Sequence, residues 1–260
     1  HKFMAISSFD ERFIPKEAGF RWDPDLKKWW TDDKQKAMKL ADYVNDPRLK
    51  VELKGVEESH QQALDASRAI DADIEIPAPE GLEYMAFQKG GIAFASQRES
   101  TLIGDDMGLG KTIQAIGLIN LTPEIERVLV ICPASLRRNW QVEMEKWLVR
   151  PLSVGISTST VPYPDTQCVI INYDIVQKFK DELRASPWDL MIVDEAHYLK
   201  NPKTLRCQWI LGHSEWNAKD RTRKVLIEPL PAKRKLFLTG TPIVNRPIEL
   251  FPLLQSMDPG

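Results

Sequence analysis

Residues 102–112, LIGDDMGLGKT, place glycines, a lysine and a threonine directly after a short apolar run. Backbone amides at the start of a helix bind phosphate oxygens, because the helix dipole is positive at that end. Gly108 and Gly110 let the backbone approach such a ligand closely, and Lys111 adds a positive charge. The pattern predicts a phosphate-binding loop, although Asp105 occupies the position of the usual first glycine.

The predicted ligand of this loop is a nucleoside triphosphate with its metal ion. The hydroxyl of Thr112 is the kind of oxygen donor that Mg²⁺ prefers. The residues expected to surround the nucleotide are Asp106, Met107, Gly108, Leu109, Gly110, Lys111 and Thr112. A nucleoside triphosphate and Mg²⁺ are therefore the predicted ligands of this loop.

A pair of acidic residues, Asp194 and Glu195, follows the apolar run of LMIVDEAH. A carboxylate at a strand end can hold Mg²⁺, and a neighbouring carboxylate can orient the attacking water. Two such residues could also form a solvated turn, but the phosphate-binding loop in the same chain favours a metal site. We predict Lys111, Asp194 and Glu195 as catalytic residues, with Thr112 and Asp194 as metal ligands.

The elements that must position these residues alternate between strands and helices from about residue 81 onward. The predicted strands are STLIGDD, RVLVICP, QCVIINYD, WDLMIVDE and KLFLTGT, and the predicted helices are KTIQAIGLIN and SLRRNWQVEMEKWL. Uniformly apolar strands indicate a parallel sheet that is buried on both faces. The alternation predicts a doubly wound, mostly parallel α/β sheet, whose ligand lies at the carboxyl ends of the strands.

The overall composition is that of a globular protein, with 43% hydrophobic and 28% charged residues. The net charge of -2 provides no global basic field, so any DNA-binding hypothesis must rest on local patches. We expect no membrane span and no signal peptide, and we interpret the three widely spaced cysteines as buried free thiols of an intracellular protein. The expected location is the cytoplasm or nucleoid, or the nucleus in a eukaryote.

Three segments in order, DDMGLGKT, DEAH and LTGTP, resemble the Swi/Snf-type ATPases of helicase superfamily two. Asp105 at the first loop position is normal in that family. YMAFQKGGIAFA resembles its adenine-binding segment, which implies that Gln88 hydrogen-bonds the base. ICPASLRRNWQVEMEKW and VIINYDIV resemble its DNA-facing segments. The resemblance covers roughly residues 80–260 and implies a RecA-like ATPase lobe.

The same resemblance implies roles for individual residues. Asp194 would hold the metal, and Glu195 would be the base that activates water. A buried, hydrogen-bonded histidine is the alternative for His197 taken alone. The residues that would couple the nucleotide to the DNA-facing surface, or belong to that surface, are His197, Thr239, Thr241, Pro133, Ser135 and Asn172.

The implied function is an ATP-driven motor lobe that moves on double-stranded or forked DNA, with remodelling or annealing activity. A nucleotide-dependent DNA-binding or partner-binding scaffold is the alternative, and a small-molecule kinase would have no need of LTGTPIVNRP. Enzymes of this family close two RecA-like lobes around ATP, and the second lobe supplies arginines for phosphoryl transfer. Because residues 1–260 end shortly after LTGTP, we expect them to bind nucleotide weakly and to turn over little without a second lobe.

The first 45 residues predict a small α+β module, with strands in KFMAIS and KKWWT and a helix at 32–44 capped by Asp32 and Gln35. IPKEAGFRWDPDLKKWWTDD resembles HepA-related (HARP-like) domains. Candidate DNA contacts are Lys27, Lys28 and Trp29, although the tryptophans could instead form the core of the module.

The remaining boundaries follow from composition. Residues 46–80 are interpreted as a linker with a helix near 56–70, and residues 81–260 as the ATPase lobe. Residues 212–235 are rich in lysine and arginine and are interpreted as a mobile loop near DNA or as a solvated surface excursion.

Overall fold

The structure, a computed structural model, describes residues 2–7, 11–44, 46, 49, 65, 72–217, 222–240 and 247–257. The chain divides into two compact units, His1–Arg68 and Ala69–Gly260. The helix predicted near 56–70 lies, apart from Asp65, outside the described residues.

The first unit combines a small sheet with short helices. Its elements are β1 (Phe3–Ala5), α1 (Phe13–Glu17), β2 (Arg21–Asp23), β3 (Lys28–Thr31) and α2 (Lys34–Met38). The strands form an antiparallel sheet in the order β1-β3-β2. Strands therefore occur in both segments for which the sequence predicts them. Ala18, Phe20, Ala37 and Ala41 form the buried core of the unit.

The predicted cap of α2 was wrong by one residue. The carboxylate of Asp33, not that of Asp32, accepts hydrogen bonds from the backbone amides of Gln35 at 2.9 Å and Lys36 at 3.2 Å. Asp33 is the extended residue directly before the first helical residue, so its side chain reaches the amides that the first turn leaves unpaired. The helix also ends at Met38, and a 3-10 turn at Ala41–Tyr43 follows it.

The second unit is built around a six-stranded parallel sheet. Its strands are β4 (Ser100–Ile103), β5 (Val128–Cys132), β6 (Val154–Ile156), β7 (Cys168–Asn172), β8 (Trp188–Asp194) and β11 (Ala232–Leu238). The order is β4-β11-β8-β5-β7-β6, and all the pairings are parallel. The helices are α3 (Ala86–Ser96), α4 (Lys111–Leu121), α5 (Arg137–Trp147), α6 (Lys180–Arg184), α7 (Leu205–Leu211) and α8 (Phe251–Met257).

Helices cover both faces of this sheet, which confirms the predicted doubly wound α/β fold. Every residue of β5 is buried, and successive residues contribute to opposite faces, as the two-residue period of a strand requires. One hydrophobic cluster contains Val130 with residues of α3, α4 and α5. The other contains Ile131 with residues of α6, α7 and α8. In the described part of the chain, no helix is both long and apolar enough to span a bilayer.

The interpretation of 212–235 as a mobile loop was wrong, whereas exposed residues 224–226 agree with the alternative, a solvated surface excursion. Residues His213–Asn217 (β9) and Thr222–Ile227 (β10) pair as an antiparallel hairpin. Gly212 precedes the hairpin with φ of 88°, and a Cβ there would lie 3.0 Å from the backbone nitrogen of Pro229. The sequence pattern did not indicate these strands, because Lys224, Val225 and Leu226 are all exposed and do not alternate between a buried and an exposed face.

Candidate functional site

The carboxyl ends of the central strands align at one edge of the sheet. Leu238 of β11 pairs with Ile103 of β4 on one side and with Asp194 of β8 on the other. Cys132 of β5 pairs with Asn172 of β7. The segments that follow these strands are the ones that the sequence predicts to carry the chemistry, so the fold brings them together at this edge.

The predicted phosphate-binding loop connects β4 to the first turn of α4. Gly110 caps α4 with φ of 74° and ψ of 39°, and Gly108 has φ of 87°, values that favour glycine. A Cβ on Gly110 would lie 2.5 Å from Nε2 of Gln88, so a side chain would disturb the loop. The first amides of α4 have no helical partner, and they are the groups that phosphate oxygens can accept from.

Lys111 and Asp105 hold the loop closed. Nζ of Lys111 donates to the backbone oxygens of Asp105 at 2.7 Å and Asp106 at 3.0 Å. A carboxylate oxygen of Asp105 accepts from Nε2 of Gln114 at 2.7 Å. Asp105 thus stabilises the loop through its side chain, which gives a physical reason for an aspartate at the position of the usual glycine. The contact of Gln114 was not predicted, because Gln114 lies within the mostly apolar helix α4 and the sequence does not indicate that Asp105 is its partner.

Gln88 joins the beginning of α3 to the same loop. Its Oε1 accepts from the amide of Met85 at 3.0 Å, and its Nε2 donates to the backbone oxygen of Leu109 at 3.2 Å. The side chain is buried, with 4% exposure. The amide therefore has a structural role under the loop, and its contact with adenine stays a prediction.

Asp194 is the last residue of β8 and is 7% exposed. Its Oδ2 accepts from the indole Nε1 of Trp140 at 2.8 Å, and its Oδ1 accepts from the amide of Glu195 at 2.9 Å. Burial raises the pKa of this carboxyl above its ordinary value, and the hydrogen bond from Trp140 opposes that increase. The charge of Glu195 raises the pKa further, while the hydrogen bond from the Glu195 amide and the charge of Lys111 lower it.

Glu195 begins a chain of polar contacts that crosses to the end of β11. Its backbone lies in the left-handed region at φ 52°, ψ 51°, which is unfavourable for a residue with a side chain. Its Oε2 lies 3.1 Å from Nδ1 of His197, which lies 3.3 Å from Oγ1 of Thr239. The contacts of His197 join the acidic turn to the end of β11, and its coupling role stays a prediction; Thr241 lies outside the described residues.

The end of β11 also contacts the phosphate-binding loop. A Cβ on Gly240 would lie 2.8 Å from Cγ of Met107 and 3.5 Å from Nζ of Lys111. Glycine at this position therefore allows the loop to approach β11. The convergence of this loop, Gly240 and the Asp194–Glu195 turn forms one candidate active site.

This donor set fits a magnesium–nucleotide complex. The hydroxyl of Thr112, in the first turn of α4, and the carboxylate of Asp194 are hard oxygen donors. Within the described ranges, no group of three or more histidine, cysteine, aspartate or glutamate side chains could hold a metal alone. Mg²⁺ commonly completes its coordination with phosphate oxygens and water, so a small protein contribution is consistent with it.

The predicted DNA-facing residues differ in exposure. Pro133 follows β5, and Ser135 is exposed in the 3-10 turn Ala134–Leu136. Asn172 is buried, with 6% exposure, and its Nδ2 donates to a carboxylate oxygen of Asp174 at 3.5 Å. Ser135 is thus available at the surface, whereas the side chain of Asn172 is directed into its own turn.

In the first unit, the candidate DNA contacts lie around the turn between β2 and β3. Lys27 is exposed with φ of 49°, while Lys28 and Trp29 are half-buried. Trp29 packs on the core of the unit and meets Trp22 edge to face at 5.4 Å. Trp29 is therefore partly a core residue, as the alternative interpretation expected.

Comparisons with known proteins identify the second unit. A family model described as the SNF2-related domain matches residues 80–260. A SWI/SNF-related matrix-associated actin-dependent regulator of chromatin subfamily A-like protein 1 from Xenopus tropicalis is 33% identical over 191 residues, which are 71% of this chain and 18% of that protein. DNA annealing helicase and endonuclease ZRANB3 from Mus musculus is 31% identical over 187 residues, 68% of this chain and 16% of that protein.

A solved structure has the same fold. The SWI2/SNF2 ATPase core from Sulfolobus solfataricus, determined in complex with double-stranded DNA, aligns with a TM-score of 0.58 at 24% identity over 72% of this chain and 38% of its own. The chain spans less than a fifth of the length of each of the two relatives from Xenopus tropicalis and Mus musculus. Because the family model covers most of the sequence and includes both the phosphate-binding loop and the acidic pair, the chain belongs to the SNF2-related domain family, the Swi/Snf-type branch of helicase superfamily two.

Proposed function

We propose that the protein hydrolyses ATP to drive movement along double-stranded or forked DNA, as a translocase or remodeller with annealing activity. The observation that carries this proposal is that the loop and the acidic turn lie at one edge of the sheet. Lys111 lies beside Gly240, just after β11, and Leu238 of β11 pairs with Asp194 of β8. A site that only bound phosphate would not require a second carboxylate held in a strained backbone conformation beside it.

The chemistry follows from the position of each side chain. Lys111 and the first amides of α4 bind the phosphates and stabilise the charge that develops on them. Glu195 accepts a proton from the attacking water. Mg²⁺, held by Thr112 and Asp194, would neutralise charge on the β- and γ-phosphates. His197 and Thr239 transmit the state of Glu195 to the end of β11.

DNA is the proposed partner, because the relatives include a protein named as a DNA annealing helicase. Exposed Ser135, at the end of β5, would contribute to the DNA-facing surface. We infer that a second RecA-like lobe completes the site with arginines, and that residues 1–260 alone bind nucleotide weakly and turn it over slowly. The relatives' names, which refer to chromatin and DNA, favour a nuclear location in a eukaryote and the nucleoid otherwise.

Displacement of the third strand from a DNA triplex tests this function without requiring strand separation. We expect the full-length protein to release the third strand when ATP is present and not when a non-hydrolysable ATP analogue replaces it. A nucleotide-dependent scaffold would bind the same duplex and leave the triplex intact with either nucleotide. Binding without displacement would therefore contradict the motor function and favour the scaffold.

The first unit is proposed to add a DNA contact through the turn at Lys27 and Lys28. Replacing both by alanine should weaken binding to a forked duplex with single-stranded arms. Since each lysine that neutralises a phosphate displaces about one counterion, the slope of log affinity against log salt should fall in magnitude by about 2. Fluorescence anisotropy across a series of salt concentrations measures the slope.

The matched control is the double replacement of Lys34 and Lys39, which begin and follow α2 in the same unit. It removes the same net charge at a different place and should change the slope by less than about 1. Equal slopes for the two double variants would show that Lys27 and Lys28 make no specific contact.

A further inference from the structure

A buried tryptophan connects a surface segment to the candidate metal ligand. Trp140 lies in the first turns of α5, the helix that begins directly after the segment 133–136. Its side chain is fully buried. Its indole nitrogen donates to Oδ2 of Asp194 at 2.8 Å. A neutral donor that meets a carboxylate away from water forms a strong and directional bond. The orientation of the Asp194 carboxylate therefore depends on the position of α5.

A buried tyrosine reaches the same turn from another strand. Tyr173 directly follows β7, and its hydroxyl donates to the backbone oxygen of Asp194 at 2.5 Å, with that of Glu195 at 3.4 Å. The ring stacks on Tyr198 at 5.3 Å between ring centres. Tyr173 thus supports the backbone at the position where Glu195 takes its left-handed conformation.

The two contacts hold different parts of one turn. Trp140 fixes the side chain of Asp194, whereas Tyr173 fixes its main chain. The strands that precede them, β5 and β7, are neighbours in the sheet, and β5 also pairs with β8. A shift of the segment after β5 or of that after β7 would therefore move the carboxylate or the backbone of the acidic pair.

We propose that Trp140 and Tyr173 are positioning residues that couple the segments 133–136 and 172–175, in which Ser135 and Asp174 are exposed, to the Asp194–Glu195 turn. DNA bound at these segments would set the geometry of the metal-binding carboxylate and of the catalytic base. This coupling rests on the proposed function, because it requires DNA to bind the protein near Ser135 and near the turn after β7. It gives a physical route by which DNA stimulates hydrolysis.

The test compares two variants with two matched controls in the full-length protein. Trp140→Phe and Tyr173→Phe each remove the hydrogen-bond donor and keep an aromatic ring. The controls are Trp147→Phe and Tyr163→Phe, because the buried indole nitrogen of Trp147 and the buried hydroxyl of Tyr163 have no hydrogen-bond partner among the described residues. Trp147 also lies on α5, so its replacement by phenylalanine removes the same atoms from the same helix.

Two measurements are made on each variant. The first is the Mg²⁺ concentration that gives half-maximal binding of a fluorescent ATP analogue, without DNA. Loss of a group that orients a metal ligand commonly weakens metal affinity by about 10–100-fold, so we expect at least a tenfold increase for Trp140→Phe. The second is the ratio of ATP hydrolysis with and without duplex DNA, which we expect to fall by about tenfold in both variants.

The outcomes separate this coupling from the proposed function. A higher Mg²⁺ requirement for Trp140→Phe and a lower DNA stimulation of hydrolysis for both variants, with wild-type values in the controls, would support the coupling. If the wild type is stimulated by DNA but both variants match their controls in both measurements, the coupling is overturned and the proposed function is not. A wild type without DNA stimulation would overturn the proposed function and the coupling together. If Trp140→Phe does not fold, Tyr173→Phe, which loses a single oxygen, decides through the stimulation ratio.

Discussion

Replacing Lys111 by alanine should lower DNA-stimulated ATP hydrolysis by the full-length protein by about 10³-fold. The ammonium group at Lys111 lies at the mouth of the loop, between two backbone oxygens and beside Gly240. There it can meet the phosphates and the charge that develops during transfer. Alanine removes that charge and also frees the backbone oxygens of Asp105 and Asp106, so the loop loses both its ligand-binding cation and a closing contact. Phosphate release in the presence of duplex DNA measures the effect.

The control for this prediction is Lys146→Ala, at an exposed position in the last turn of α5. It removes the same charge from the surface and should leave hydrolysis within about twofold of the wild type. Under the scaffold alternative, Lys111→Ala would keep the biological activity of the full-length protein. Retained phosphate release in Lys111→Ala would contradict the assignment of this loop.

Glu195→Gln should lower the maximal rate of hydrolysis by about 10²–10⁴-fold while nucleotide affinity is retained. Glutamine has the same length as glutamate, and its amide can meet Nδ1 of His197 as either a donor or an acceptor. It cannot take a proton from water. The backbone cost of the left-handed conformation at this position is the same for both side chains, so a change in stability does not explain a loss of rate.

Single-turnover kinetics separate the chemical step from binding, and a fluorescent ATP analogue reports the affinity. Glu145→Gln serves as the control, because Glu145 is exposed on α5 and accepts a hydrogen bond from Gln141. If Glu195→Gln weakened nucleotide binding and left the rate of the bound complex unchanged, Glu195 would be a binding residue and not the base.

The parallel sheet could be predicted from sequence because the composition of each central strand, taken alone, indicates that both of its faces are buried. In β5, the run from Val128 to Cys132 has no polar residue, and a run of this kind flanked by turn residues is typical of a strand covered on both faces. The position of the site followed from the order of the elements, since Asp194 ends β8 and the phosphate-binding loop follows β4. Carboxyl ends of parallel strands meet at one edge, so adjacency in space followed from topology.

Contacts between distant segments could not be predicted in this way. Trp140 and Asp194 are 54 positions apart, and Trp140 fits the apolar face of α5 as well as any core residue does. Nothing in the local pattern records the partner of its indole nitrogen. The hairpin at 213–227 was missed because residues 224–226 are all exposed and show no alternation, and the cap of α2 was misplaced because Asp32 and Asp33 are both good capping residues.

A crystal structure of the full-length protein with ATPγS and Mn²⁺ tests most directly whether the phosphate-binding loop and Asp194 form a single metal–nucleotide site. Anomalous scattering from Mn²⁺ locates the ion without reference to the protein. We expect the peak about 2.1 Å from Oγ1 of Thr112, with the carboxylate of Asp194 bound to the ion directly or through one water. An ion bound to the nucleotide but separated from Asp194 by more than one water layer would contradict the shared site.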